Sequence, residues 1–170
     1  MYTFRCRFVV FTLIIAVLSW GMSGEEILKY GIEIDPISSE DIHGQKFTIP
    51  FAGQVTFIYF FDSNIPHHLQ KLSELDFYLT NLPAINQKIV ILGISRDLSD
   101  KNSKKLNNFE TNIYFIDDSD LSLSTKFKYE CGQCIKILLI DAKQKLRLLT
   151  SEFNLLFLRE VIQRYAEEIS

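Results

Sequence analysis

The chain has 170 residues, 47% hydrophobic and 13% aromatic, with a formal net charge of -3. That is enough apolar material for one domain with a core, and it excludes a disordered chain. The slightly acidic balance and the lack of a basic stripe argue against a nucleic-acid partner.

Residues 1–23 read as a separate object. Arg5 and Arg7 form a positive n-region, and Phe8–Trp20 is an apolar stretch shorter than the ~20 residues a membrane span needs. Gly21, Met22 and Ser23 follow where a signal peptidase reads small residues. The expectation is a signal peptide or an uncleaved membrane anchor, then a single domain over residues 24–170, exported to the periplasm or exterior. Membrane contact is expected only through this segment. Cleavage would remove Cys6 and two of the 18 basic residues but none of the 21 acidic ones. Cys131 and Cys134 then remain, in an oxidising compartment.

Glu25–Pro50 reads as an entry segment of short strands. Ile32 and Ile34 alternate with polar neighbours, Asp41–Gly44 is a turn, and Lys46–Ile49 is a short strand. Val55–Phe61 is an unbroken apolar and aromatic run, which predicts a strand buried on both faces. After the polar turn Asp62-Ser63-Asn64, the spacing of Leu69, Leu72, Leu75 and Leu79 predicts a helix with one buried face. Pro66 fits its first turn, where a missing N–H costs nothing. A side-chain oxygen of Asp62, Ser63 or Asn64 is expected to cap this helix. Free N–H groups and the helix dipole favour negative charge at such a junction.

Thr80–Gln87, with Pro83, reads as a loop, and Lys88–Ser95 as the next buried strand. Ser99 or Asp100 can cap a polar helix to about Phe109, with Lys101, Lys104 and Lys105 on its solvated face. Asn112–Ile116 predicts a short strand, and Asp117–Lys128 a capped helical turn with Leu121, Leu123 and Phe127. Cys131-Gly132-Gln133-Cys134 forms a tight loop before the buried run Ile135–Ile140. Asp141–Lys145 is a hairpin turn and Leu146–Thr150 the returning strand. Phe153–Ile169 predicts a closing amphipathic helix with Leu156, Ile162 and Tyr165 in the core. Alternating strands and helices imply an α/β architecture with a central mixed sheet flanked by helices.

Four segments in order resemble the thioredoxin superfamily, in its exported TlpA/ResA-like and AhpC/TSA-like (redoxin) branch. They are DIHGQKFTIPFAGQVTFIYFF, ILGISRD, NIYFIDDSDLSLSTKFKYE and CIKILLIDAKQKL, and the likeness spans roughly Ile34 to Ile169. The resemblance implies a thioredoxin-like fold. It also implies thiol–disulfide exchange in the cell envelope, in settings such as cytochrome c maturation or oxidative folding. The family's C-x-x-C turn falls on Asn64, Ile65, Pro66 and His67, so the Pro remains and both thiols are gone. Exchange needs a thiolate attacking sulfur, so this turn is expected to be inert. The family's cis-Pro falls on Ile135, where a cis bond would cost ~3 kcal/mol, so a trans Cys134–Ile135 bond is expected.

Three readings of Cys131 and Cys134 stay open. They are a structural short-loop disulfide, a redox pair relocated across the cleft, or two metal ligands. In the redox reading one cysteine attacks a substrate disulfide and the other resolves it. His67 and His68, adjacent on a helix, point in different directions, and whichever is buried should be neutral. Neutral His67 with two thiolates would suit copper or zinc, and the resemblance to Sco-like copper-binding proteins implies copper; otherwise no cofactor is expected. The chain is therefore expected to be redox-inactive or to work through Cys131 and Cys134. Alternatively it is a non-catalytic module whose groove holds an envelope protein or peptide.

Overall fold

The computed structural model describes residues 29–98, 106, 109, 113–130 and 134–169. The expected signal or anchor lies outside the described residues. So do Lys101, Lys104 and Lys105 with most of their helix, and Cys131, Gly132 and Gln133.

Five strands form the central sheet: β3 (Val55–Phe60), β4 (Ile89–Ser95), β5 (Ile113–Asp117), β6 (Lys136–Ile140) and β7 (Leu146–Thr150). Their order is β5-β4-β3-β6-β7. β3, β4 and β5 run parallel, while β6 is antiparallel to β3 and β7 antiparallel to β6, so the sheet is mixed. β3 and β4 are buried at every position. Central strands covered on both faces need apolar side chains throughout, which is why neither run alternates.

Alternate residues of β3 feed two cores. Val55, Phe57, Tyr59 and Phe61 pack under helix α1 (Pro66–Thr80), through Leu72, Leu75 and Leu79. A closing helix joins them through Leu158 and Ile162. Ile58 and Phe60 face the other way, with Leu123 and Phe127 from and just after the short helix α3 (Ser122–Lys126). Gly93 keeps the first core closed, since a Cβ there would stand 2.8 Å from two ring carbons of Phe115 and 3.4 Å from Phe61.

Three expectations need correction. Thr80–Gln87 is not all loop: Pro83–Asn86 winds into a one-turn helix, α2, with Pro83 at its start for the same reason as Pro66. The closing helix, α4, spans Leu155–Glu167, and Leu156 is 68% exposed rather than in the core. Its buried stripe is Leu158, Ile162 and Ala166, four apart, and Leu156 sits two residues off that stripe. Tyr165 is half-buried against the core. Finally, Ile32 and Ile34 lie outside any strand, although Glu33 makes an isolated bridge to Lys145. The N-terminal hairpin instead pairs β1 (Ile37–Glu40) with β2 (Lys46–Ile49). Its turn closes on the Asp41 carboxylate, which accepts the N–H groups of His43 and Gln45 at 2.9 and 2.8 Å.

Candidate functional site

Asn64, Ile65, Pro66 and His67 lie at the bend from β3 into α1, with Pro66 the first helical residue. The N-cap is Ile65 and no side chain caps the helix, so the cap expected from Asp62, Ser63 or Asn64 is corrected. Those side chains are spent elsewhere. The Asp62 carboxylate accepts the Asn64 N–H at 2.8 Å. The Ser63 hydroxyl donates to the Asp97 carbonyl, and the Asn64 amide donates to the Asp97 carboxylate at 3.2 Å. The turn is thus tied to the segment leaving β4. With Pro at the first position, one of the helix's orphan donors is absent from the start.

His68, not His67, is the buried imidazole, only 2% exposed, while His67 faces solvent. Nδ1 of His68 accepts the Asp62 N–H at 3.1 Å, and the His68 carbonyl accepts the Tyr59 hydroxyl at 3.0 Å. An accepting Nδ1 leaves the proton of the neutral ring on Nε2. Burial, with the neighbouring His67 and Lys71, holds His68 below the ordinary imidazole range. Burial also pushes the Tyr59 phenol far up, so it remains a donor.

Register carries the argument to Cys134. Phe60, the last residue of β3, pairs with Lys136, the first of β6. The thiol-free turn and the Cys134 loop therefore leave the sheet at the same edge. Cys134 is exposed and disulfide-bonded, and its partner lies outside the described residues. Ile135 is buried, and the Cys134–Ile135 peptide is trans; the cis peptide among the described residues is Ile49–Pro50.

Two residues bind this loop to the body. The Tyr129 hydroxyl donates to the Cys134 carbonyl at 2.6 Å, and its ring stacks on Phe60 with centroids 4.9 Å apart. Arg96 lies over that ring at 5.3 Å, donates to the Tyr129 carbonyl, and donates through Nε to Ser124 Oγ at 3.3 Å. Burial pushes the Tyr129 phenol up to about 12. On the far side, the Lys136 ammonium donates to the carbonyls of Phe127 and Lys128, both at 2.6 Å, and burial lowers its pKa. Asp62, Asn64, Arg96, Asp97 and Tyr129 help to line a cleft of about 100 Å³ beside the turn.

This arrangement brings Asn64 to His67 and the Cys134–Ile135 step to one edge, and it leaves His67 pointing out. Among the described residues no group of three His, Cys, Asp or Glu side chains is placed to hold a metal. A copper site on Cys131, Cys134 and His67 would first need the Cys134 disulfide reduced, because the ligand is a thiolate. Tyr129 and Arg96, which organise the loop, were not picked out from the sequence. Their partners are a carbonyl, a ring and a hydroxyl, and none of these leaves a motif.

A mixed five-stranded sheet with helices on both faces and a strand-to-helix turn at one edge is the thioredoxin-like α/β fold, and solved structures of that fold superpose on the chain. A putative thioredoxin from Neisseria meningitidis matches with a TM-score of 0.66 and 14% identity, over 82% of this chain and 92% of that one. A putative thiol:disulfide interchange protein DsbE from Chlorobium tepidum matches at 0.63 and 13%, over 84% and 99%. BsSco, a member of the Sco family of cytochrome c oxidase assembly proteins, matches at 0.61 and 16%, over 85% and 98%. No protein-family model and no curated protein matches the chain.

Proposed function

We propose that the chain is an exported thioredoxin-like protein whose usual motif turn is silent and whose thiol–disulfide exchange runs through Cys131 and Cys134. The observation that carries this reading is the exposed, disulfide-bonded Cys134, on the loop that leaves the sheet beside the Asn64–His67 turn. Exposed disulfides are the labile, exchange-prone ones. Cys131 is the partner this reading assigns, since Cys6 belongs to the segment expected to direct export.

In the reduced protein, one thiolate of the pair attacks a substrate disulfide, and a substrate thiolate leaves. The second cysteine then attacks the mixed disulfide. The substrate gains two electrons as a dithiol, and the pair is left oxidised. A dithiol donor in the envelope must reduce it again; run backwards, the same steps oxidise a substrate dithiol. The groove between the turn and the loop would hold an extended envelope polypeptide against these sulfurs.

The second reading is a groove that binds without chemistry. It is supported by the turn itself, where Ser63 and Asn64 are hydrogen-bonded to Asp97 and no thiol is present. Insulin reduction with dithiothreitol separates the two. The exchange reading expects wild-type catalysis above background, lost in Cys134→Ser and in Cys131→Ser and kept in His67→Ala. Wild-type activity at background leaves the binding module standing. Copper titration of the reduced protein tests the metal reading, which fails if His67→Ala leaves affinity unchanged.

A further inference from the structure

Among the described residues five large apolar side chains stand exposed: Tyr30, Phe77, Leu121, Leu156 and Phe157. A single exposed apolar side chain is ordinary, whereas several at one place mark a surface with a partner. Register and helix phase bring Tyr30, Leu156 and Phe157 to one corner, beside the C-terminal end of the edge strand β7. The segment before β1 runs antiparallel along the outer side of β7. Glu33 bridges Lys145, the Gly31 N–H donates to the Leu146 carbonyl at 2.7 Å, and the Tyr30 hydroxyl donates to the Leu149 carbonyl at 3.1 Å. Followed backwards, the chain therefore passes Leu149 and leaves the body at Lys29, near Thr150. α4 returns from that same end. The Arg147 guanidinium lies over the Tyr165 ring at 5.8 Å, so the side of α4 carrying Phe157, Val161 and Tyr165, four apart, faces the β7 edge. Phe157 to Tyr165 is ~12 Å of helix, and Arg147 to Thr150 is ~10 Å of strand. Phe157 thus stands level with Leu149, the residue that holds Tyr30, and Leu156 adjoins it.

We propose that this corner rests on the surface of a lipid bilayer. The inference rests on residues 1–23 acting as a retained anchor and is independent of the exchange chemistry. Chain length selects lipid as the occupant. Residues 24–28 reach ~20 Å at full extension. With the apolar stretch Phe8–Trp20 lodged in the bilayer, Lys29 and the corner beside it are held at the interface. The side chains suit that depth. Leu156 and Phe157 are wholly apolar, and aromatic rings favour the headgroup boundary. The Tyr30 ring is exposed while its hydroxyl is already bonded to Leu149, so the ring enters an apolar layer without stranding a polar group. Thr150 pairs with Ile137, and Phe60 pairs with Lys136, so Cys134 and the Asn64–His67 turn lie at this same end of the sheet. Docking turns that end toward the lipid, and a polypeptide reaching it is met at the membrane surface.

The test uses the full chain with vesicles of phosphatidylethanolamine and phosphatidylglycerol whose acyl chains are brominated. Trp20→Phe removes the single native indole and forms the background. Into it go Phe157→Trp, Leu156→Trp or, as control, Phe77→Trp, an exposed position about three turns along α1 from the Asn64–His67 turn. Flotation with the vesicles reads the anchor alone. The indole at position 157 or 156 should shift to the blue and lose most of its emission to bromine, and the indole at 77 should keep its own. Adding Tyr30→Ser should reduce the quenching at 157. Leu156→Trp reads the same corner if Phe157→Trp fails to fold. A chain that floats with 156 and 157 quenched no more than 77 overturns the docking and leaves the anchor standing. A chain that does not float overturns both. A blue shift without bromine quenching means that a second copy of the chain covers the corner, which also overturns the proposal.

Discussion

His68 fixes the start of α1, and its removal gives a prediction with a sign that depends on pH. In His68→Leu the backbone carbonyl stays, so the Tyr59 hydroxyl keeps its acceptor. The imidazole nitrogen that receives the Asp62 N–H at 3.1 Å is lost. The bond is part-buried, so its loss costs about 1 kcal/mol, and Leu fills the space without replacing the acceptor. For a chain of this size that is roughly 2–4 °C in Tm per kcal/mol.

The pH dependence follows from the lowered pKa of His68. The unfolded imidazole titrates near ~6.5, above the folded one, so the unfolded chain takes up the proton first. The contribution of His68 is therefore complete above about pH 6.5 and is lost as pH falls through that value toward the folded pKa. A protonated ring also cannot accept from Asp62. Urea unfolding at pH 8 should show the variant weaker by the full amount, and at pH 5 the gap should shrink or vanish. An equal gap at both pH values would refute the reasoning, as would a variant as stable as wild type at pH 8.

Three further outcomes are expected. Tyr129→Phe removes the donor to the Cys134 carbonyl; it should cost about 1 kcal/mol in urea unfolding of the oxidised protein and speed reduction of the Cys134 disulfide by dithiothreitol. Gly93→Ala places a methyl group 2.8 Å from the Phe115 ring; about 1–3 kcal/mol of destabilisation is expected by thermal unfolding, and an unchanged midpoint would refute it. Asp141 accepts the N–H groups of Lys143 and Lys145 and the Arg147 guanidinium at 2.6 Å. Burial alone would raise its pKa, but those bonds outweigh burial and lower it. Its contribution should be present above about pH 4 and lost as pH falls through the folded pKa. Asp141→Asn should cost about 1 kcal/mol at pH 7 and flatten that acid limb.

Much of the frame is legible along the chain because its signals are local. Unbroken apolar runs mark β3 and β4, which have neighbours on both faces. Leucines three and four apart mark the buried side of α1. The same spacing argument fails for Leu156, because the stripe that packs is set by where α4 begins. Local composition also pointed to Asp62, Ser63 and Asn64 as caps. Asp97, more than thirty residues on, takes Ser63 and Asn64, and a tertiary bond to a well-placed acceptor displaces the local one.

From its own order of residues the chain determined a mixed α/β sheet, a thiol-free turn before Pro66, and a C-x-x-C just ahead of β6. Tertiary structure alone decided which histidine is buried and that Cys134 and the turn lie at the same end of the sheet. It also decided that Tyr129 and Arg96 tie the Cys134 backbone to the sheet. The reason is distance along the chain. Burial patterns repeat every two to four residues and can be read from neighbours, whereas a tertiary hydrogen bond depends on what a remote segment brings to it.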